Sequence, residues 1–174
     1  MKKIGLLSDT HSFLDPAVFD YFSECDEVWH GGDIGQVEVA DQLEAFKPFR
    51  AVYGNIDGNE IRQRYPLNLN FEIEGLKVFI THIGGYPGRY NARVRKLLQA
   101  HQPDLYICGH SHILKVMPDR QLDLLHINPG ACGHHGWHKM RTLIRFEVEA
   151  GAIKNCEVIE LGKRGRIDTK EAAS

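Results

Sequence analysis

The chain has 174 residues, of which 43% are apolar and 25% are charged, and its formal charge is −2. These proportions are those of an ordinary globular protein and exclude disordered and fibrous classes. The slightly acidic balance gives no support for bulk binding to nucleic acid or to an anionic membrane, so any recognition of phosphate must be local. The length predicts one domain over residues 1–161, followed by a polar tail over 162–174 that we expect to be frayed.

Cysteine usage and the amino terminus indicate a cytoplasmic protein. The four cysteines are scattered without a C-x-x-C pair, which argues against a zinc ribbon, a thioredoxin-type motif or a disulfide framework. The basic start is followed by an apolar run that stops at Leu7, too short for the core of a signal peptide. No apolar stretch approaches the roughly 20 residues of a membrane helix, so we expect no membrane association.

In chain order, strand-like and helix-like segments alternate, which predicts βαβ units with a parallel core. Helices are expected after the Asp15-Pro16 pair, over residues 36–46 and 57–65, and over residues 88–101 as the longest. The strands that precede them are short apolar runs at residues 4–7, 27–29, 51–53, 78–80 and 105–108.

Further strands are predicted at residues 70–73, 113–117, 122–127, 141–148 and 153–160. Glu74-Gly75 and Ala150-Gly151 are turn signals between consecutive strands, so antiparallel hairpins should join the parallel part. The expected fold is therefore α/β (α+β), with two mixed sheets packed face to face and flanked by helices.

Five of these apolar runs end directly in residues that bind metals. Because the loops at the carboxyl ends of parallel strands share one crevice, residues that are distant in sequence should converge there. The set is too large for one tetrahedral ion and suits a pair of ions. Its members are Asp9, His11, Asp33, Asn55, His82, His110 and His112.

The alternative to a metal site is that each motif has a separate structural role. A lone D-x-H or H-x-H is usually a turn aspartate or a hydrogen-bonded histidine, Asp33 could be a helix cap, and Asn55 could be a turn residue. The conjunction favours metal, because so many ionisable groups in one crevice would be costly without counter-ions. A nitrogen and oxygen ligand set without thiolate suits Mn²⁺, Fe, Zn or Ni more than Ca or Mg.

The ordered motifs D-x-H, G-D, G-N, a lone histidine and G-H-x-H resemble those of the calcineurin-like metallophosphoesterases, and the small size is similar to their compact phosphodiesterase subgroup. The resemblance runs from Ile4 to Glu160 and implies a four-layer αββα sandwich with two central mixed sheets. It also implies two divalent metal ions, most simply Mn²⁺, with Asp33 bridging them. The first ion would be held by Asp9, His11 and His112, and the second by Asn55, His82 and His110.

The chemistry expected of such a pair is hydrolysis of a small phosphodiester by a metal-bridging hydroxide. Asp9, Asp33, Asn55 and His82 are the predicted catalytic residues. No protein nucleophile is required, because no serine has an evident triad partner. Asp57 and Asn128, the latter in an N-P-G segment similar to that of the family, are candidates to support the ligands from behind. The alternative interpretation of the N-P-G segment is a plain turn after a strand.

One position departs from many larger family members, in which a histidine after the asparagine protonates the leaving group. Ile56 stands there in this chain and can donate no proton, so phosphodiesters with stabilised leaving groups should be the better substrates. His30, His134, His135 and His138 are the remaining candidate acids, and each is expected at the surface or behind the ligands.

The glycine-rich loop after His82 carries Tyr86 and Arg89, which are candidates to contact the substrate; its alternative reading is a flexible turn. The expected partner is a small-molecule phosphoester, with no nucleic-acid groove. A homo-oligomer is an open alternative by analogy alone. Two other functions stay open: a protein-binding scaffold, such as the metallophosphoesterase-like subunit of the retromer coat, and a phosphomonoesterase or nucleotide hydrolase.

Overall fold

The computed structural model describes residues 1–165 and contains ten strands and four helices in that range. In chain order they are β1 (Lys2–Leu7), α1 (Ala17–Tyr21), β2 (Glu27–His30), α2 (Val37–Phe46), β3 (Phe49–Ala51), α3 (Asn59–Arg64), β4 (Asn68–Ile73), β5 (Leu76–Thr81), α4 (Ala92–His101), β6 (Leu105–Ile107), β7 (Lys115–Asp119), β8 (Leu124–Asn128), β9 (Met140–Glu149) and β10 (Ala152–Lys163). Strand β10 includes residues 162 and 163 of the expected tail, and residues 166–174 lie outside the described part.

The strands form two mixed sheets of five. The first has the order β10-β9-β1-β2-β3, in which β1, β2 and β3 run parallel and β9 and β10 run antiparallel to their neighbours. The second has the order β4-β5-β6-β8-β7, in which β5, β6 and β8 run parallel between antiparallel edges. The carboxyl ends of β1, β2 and β3, and those of β5 and β6, therefore supply the loops of the site.

Alternation of side chains along β1 explains the layers. Leu7 packs with Val18, Leu43 and Ile61 of helices α1, α2 and α3, on the outside of the first sheet. Ile4 and Leu6 point to the opposite face and pack in one cluster with residues of β5, β6 and β8 from the second sheet. Helix α4 covers the outer face of the second sheet through Val94 and Leu98. The predicted αββα sandwich is confirmed.

Both predicted hairpins are present, and both use the positive φ angles of tight two-residue turns. Glu74 and Gly75 have φ of 49° and 80°, and Ala150 and Gly151 have φ of 49° and 75°. Their strands, β4 with β5 and β9 with β10, pair in the antiparallel sense that the turn signals predicted.

Several predicted boundaries are wrong by two to four residues. The strand expected at 51–53 is β3 at Phe49–Ala51, because the Tyr53 N–H leaves the sheet and donates to Pro66 O at 3.1 Å. The helix expected from residue 88 begins at Ala92, because the Asn91 side chain accepts the Val94 N–H and starts the helix there. No helix in residues 1–165 has the length and apolar character needed to cross a bilayer.

Candidate metal centre

All seven predicted ligands meet at the carboxyl ends of five strands. Asp9 and His11 follow β1, Asp33 follows β2, and Asn55 lies in the loop that leaves β3. The second sheet contributes the residues that follow β5 and β6, namely His82, His110 and His112.

Hydrogen bonds from backbone N–H groups join the loops of the site to one another. Gly109 N–H donates to His82 O at 3.0 Å, and His110 N–H donates to the Asp9 carboxylate at 3.2 Å. On the first sheet, the N–H groups of Asp9 and His11 donate to the carbonyls of Gly32 and Asp33, each at 3.0 Å. Backbone bonds thus join the loops within each sheet, and the bond from the His110 N–H to the Asp9 side chain joins the two sheets.

Six of the seven side chains divide into two groups whose ligand atoms lie within 4.8 Å of one another. One group contains Asp9, His11 and His112, and the other contains Asp33, His82 and His110. Asn55 belongs to the second group by position, because its Oδ1 lies 3.0 Å from His110 Nδ1. These groups match the two ligand sets that the family resemblance implies, with Asp33 counted in the second group.

Both carboxylates lie between the groups. Asp33 Oδ2 is 3.4 Å from His11 Nε2 and 3.1 Å from His82 Nε2. Asp9 Oδ1 is 3.1 Å from His112 Nε2 and 3.8 Å from His82 Nε2. A carboxylate has two oxygens with separate lone pairs, so a residue in the position of Asp33 can serve both groups at once.

The chemistry of the donors fits divalent cations. Within residues 1–165, His11 Nε2 and His82 Nε2 are buried and have no hydrogen-bond partner, although each lies close to carboxylate oxygens. Such orphaned polar atoms need a partner that the described side chains do not supply. Burial alone would raise the pKa of Asp33, but His82, the Ile56 N–H and His11 together lower its pKa, so the carboxylate is ionised.

The backbone of the centre is in an uncommon conformation. Five of the seven ligands have φ in the left-handed region: Asp9 at 55°, His11 at 45°, Asp33 at 55°, His110 at 68° and His112 at 59°. Non-glycine residues rarely adopt these angles, and each instance costs about 1–3 kcal/mol. The concentration of strain at these residues indicates a functional constraint, because elsewhere the chain places such angles mostly in turns.

Two glycines allow the loops to approach so closely. A Cβ on Gly54 would lie 2.0 Å from Asp33 Oδ1 and 2.4 Å from the Asp33 backbone nitrogen. A Cβ on Gly109 would lie 2.6 Å from Asp9 Oδ2 and 2.2 Å from Ser8 Oγ. A side chain on Gly54 would therefore displace Asp33, and a side chain on Gly109 would displace Asp9.

Asp57 and Asn128 lie behind the ligands and hold their loops. The buried Asp57 carboxylate accepts the Gly35 N–H and the Gly54 N–H, each at 2.7 Å, and so ties the Asp33 loop to the Asn55 loop. The Asn128 side chain donates to Gly109 O at 3.0 Å and accepts the Gly130 N–H at 3.0 Å. The polar contacts of both side chains are of the supporting kind expected behind metal ligands.

The candidate acids lie in different places. His30 is fully buried, contacts Thr10 Oγ1 at 3.1 Å and accepts the Gly32 N–H at 3.0 Å, so of its two expected positions it takes the one behind the ligands. Burial lowers the pKa of His30 to about 3, which leaves it neutral at physiological pH. His135 stacks on His11 at 4.7 Å between ring centroids, and His138 lies edge-on to His112 at 5.2 Å. His134 instead contacts Arg164 O, at the side of the Phe13 ring.

Ile56 faces the site through its backbone. Its side chain is 45% exposed, and its N–H donates to Asp33 Oδ1 at 3.0 Å. The residue therefore positions a carboxylate and supplies no proton donor at the place where many family members have a histidine.

The two predicted substrate contacts have separate surroundings. Tyr86 lines a pocket of about 150 Å³ that also includes His110, with the Lys115 ammonium 3.5 Å from the centroid of its ring. Arg89 is exposed and does not line this pocket or the larger one beside Asn55.

Sequence reasoning missed two arginines beside the centre. A pocket of about 390 Å³ is lined by Asn55 and His82 together with Arg62 and Arg93. Both arginines lie on helices that were predicted, Arg62 on α3 and Arg93 on α4. The only signal in the sequence was that Arg62 follows the G-N motif closely. Its position beside the centre depends on packing between distant parts of the chain.

Comparison with known proteins gives a consistent result. A model of the calcineurin-like phosphoesterase superfamily domain matches residues 1–151. A probable metallophosphoesterase of Methanothermobacter thermautotrophicus is 33% identical over 134 residues, which cover 74% of this chain and 76% of that protein.

Solved structures extend the likeness to the fold. A structure described as that of a novel archaeal phosphodiesterase is 27% identical with a TM-score of 0.72, over 91% of this chain and 99% of that one. Vps29 of Entamoeba histolytica, solved with zinc, is 19% identical with a TM-score of 0.69, over 91% and 98% of the two chains, and shares the fold. Because the family model spans most of the chain, including every candidate ligand, this protein belongs to the calcineurin-like phosphoesterase superfamily.

Proposed function

We propose that this protein is a phosphodiesterase that uses two divalent cations, most simply Mn²⁺, to hydrolyse a small phosphodiester. The observation that carries the proposal is the position of Asp33, whose Oδ2 lies within 3.4 Å of an imidazole from each ligand group. Asp9, His11 and His112 would hold one cation, and His82, His110 and Asn55 the other, with Asp33 shared. When bound, such a pair lowers the pKa of water and neutralises charge on the phosphoryl group.

The chain's own residues have distinct roles in this proposal. Asp9 and Asp33 supply the negative charge that balances the cations, and the Ile56 N–H holds Asp33 in place. Asn55 is exposed and neutral, so it adds an oxygen donor at the open side of the centre without further negative charge. An anionic substrate would then approach the side with the least carboxylate charge.

The buried thiols take no part in this chemistry. Burial raises the pKa of Cys25 to about 11, and it raises the pKa of Cys108 and of Cys132 to about 12, so none is a thiolate at neutral pH. All four cysteines are free, which supports our proposal of a reducing, cytoplasmic location.

The substrate class follows from the missing acid. With Ile56 in place of a proton donor, a leaving group must depart largely as its anion, which favours aryl and other stabilised leaving groups. A diester with a stabilised leaving group is therefore a better expected substrate than a plain alkyl monoester. A phosphomonoesterase or nucleotide hydrolase is the alternative within the same chemistry.

A protein-binding scaffold is the alternative of a different class, and the structural likeness to Vps29 is the observation in its favour. The ligand set argues against it. All seven positions carry side chains that bind metals, and six of them already lie in two compact groups. A scaffold without catalysis has no need of the strained backbone that holds them.

The test is reconstitution of metal-free protein. We expect no hydrolysis after chelation and recovered hydrolysis of bis-p-nitrophenyl phosphate on addition of Mn²⁺, with slower hydrolysis of p-nitrophenyl phosphate. Parallel additions of Fe²⁺, Zn²⁺, Ni²⁺ and Mg²⁺ show which metal restores the most hydrolysis. Faster turnover of the monoester would contradict the substrate argument from Ile56. Turnover of neither substrate with any metal would favour the scaffold.

A further inference from the structure

The pocket of about 390 Å³ beside Asn55 and His82 has a mixed lining that the hydrolytic centre does not explain. It lies between the loop after β3 and the loop after β5. Its other walls combine an aromatic ring, two exposed aliphatic side chains and two guanidinium groups, those of Tyr53, Leu67, Ile83, Arg62 and Arg93. A space of this size holds a substituent of a small molecule.

Arg62 is held in place by backbone carbonyls. Its Nε donates to Asp57 O at 2.6 Å, and its Nη2 donates to the carbonyls of Gly54 and Asn55 at 3.3 and 3.2 Å. The guanidinium lies 4.6 Å from the centroid of the Tyr53 ring. Within residues 1–165 its Nη1 has no acceptor, so this nitrogen is available to a ligand.

Arg93 is anchored by two side-chain oxygens and one backbone carbonyl. Its Nη1 donates to Asn68 Oδ1 at 2.8 Å, and its Nη2 donates to Thr81 Oγ1 and Ile83 O, each at 3.2 Å. Its Nε has no acceptor within the described residues. All of these anchors are uncharged, so they fix the direction of the guanidinium without cancelling its charge.

Neither arginine has a carboxylate partner in the part of the chain that the structure describes. In contrast, Arg50, Arg64, Arg141 and Arg145 each form an ion pair. The pocket is therefore lined by two positive charges that are fixed in direction and have no carboxylate partner among the described residues. They are present although the formal charge of the whole chain is −2. Guanidinium groups with free donors match the geometry of a phosphate.

We propose that this pocket binds a second phosphate group of the substrate, separate from the phosphorus that is hydrolysed. The inference rests on the proposed function and names its substrate class: a phosphodiester that carries a further phosphate. Tyr53, Leu67 and Ile83 would pack against the carbon part that joins the two phosphorus atoms. Arg62 and Arg93 are the specificity-determining residues.

Binding is tested first, without catalysis. Inorganic phosphate is titrated calorimetrically into metal-free protein, with Arg93→Gln as the variant and Arg95→Gln as the control. Arg95 lies on the same helix, is exposed and does not line the pocket. We expect the Arg93 substitution to weaken phosphate binding by about fivefold or more, and the control to match the wild type within about twofold. Equal binding by wild type and Arg93→Gln would overturn the proposal.

Specificity is tested next, as the ratio of kcat/KM for two substrates, measured separately for each variant. The substrates are the p-nitrophenyl ester of thymidylate with and without a second phosphate on its sugar. For the Mn²⁺-loaded wild type we expect kcat/KM about tenfold higher with the second phosphate. Arg62→Gln and Arg93→Gln should reduce this ratio towards one, whereas Arg95→Gln keeps it. A wild-type ratio of one, or an undiminished ratio in both variants, would contradict the pocket's role.

The two proposals fail differently. If neither ester is hydrolysed with any metal, the proposed hydrolytic function is wrong. The phosphate titration alone then decides whether the pocket binds phosphate. If both esters are hydrolysed equally, the hydrolase stands and the pocket proposal falls.

Discussion

Replacement of Asp33 by asparagine is expected to lower kcat/KM for bis-p-nitrophenyl phosphate by a factor on the order of a thousand or more. The amide keeps the volume of the side chain and can still accept the Ile56 N–H. It removes the negative charge that lies next to His11 in one group and His82 in the other. Activity is measured by release of p-nitrophenolate at saturating Mn²⁺, and bound metal by elemental analysis.

Asp119→Asn is the matched control for this loss. Asp119 is also a buried carboxylate, but it lies away from the centre and accepts hydrogen bonds from Tyr90 and two backbone N–H groups. Its substitution should cost stability and leave metal content unchanged. If Asp33→Asn kept full activity and two metals, or if Asp119→Asn lost the metals equally, Asp33 would not be the shared ligand.

Replacement of Gly54 by alanine is expected to reduce activity about a hundredfold, the second largest effect. The added Cβ would lie 2.0 Å from Asp33 Oδ1 and 2.4 Å from the Asp33 backbone nitrogen, so the carboxylate and its loop must both shift. A displacement of about 1 Å at a catalytic group is sufficient for a loss of this size. Calorimetric titration of Mn²⁺, well below the Tm of the variant, separates weaker metal binding from general unfolding.

Gly58→Ala provides the control in the same loop. A Cβ at Gly58 has nothing within 4 Å, and the residue has an ordinary φ of −80°. This variant should retain activity and change stability by less than about 1 kcal/mol, because alanine reduces the freedom of the unfolded chain but is a poorer N-cap of α3 than glycine. Comparable losses in both alanine variants would show that the loop is merely sensitive to substitution.

The strand ends were predictable because two signals coincide there. Apolar runs such as Ile4–Leu7 and Leu105–Cys108 predict strands, and polar residues directly after them mark the carboxyl edge of a sheet. Because parallel strands run in the same direction, the loops that follow them lie at the same edge of the sheet. The hairpins at Glu74-Gly75 and Ala150-Gly151 were predictable for a similarly local reason.

Other features depend on contacts that no local pattern encodes. The position of His30 behind the ligands depends on Thr10 and Gly32, which contact its ring from two different loops. The left-handed backbone at Asp9 and Asp33 arises because four loops are hydrogen-bonded to one another. The pocket formed by Arg62 and Arg93 joins two helices that are far apart along the chain.

Anomalous diffraction from crystals grown with Mn²⁺ tests the central claim most directly. We expect two anomalous peaks, one among Asp9, His11 and His112 and the other among Asn55, His82 and His110, with Asp33 next to both. A single peak, or no peak with these side chains turned away from one another, would contradict a centre built for two cations.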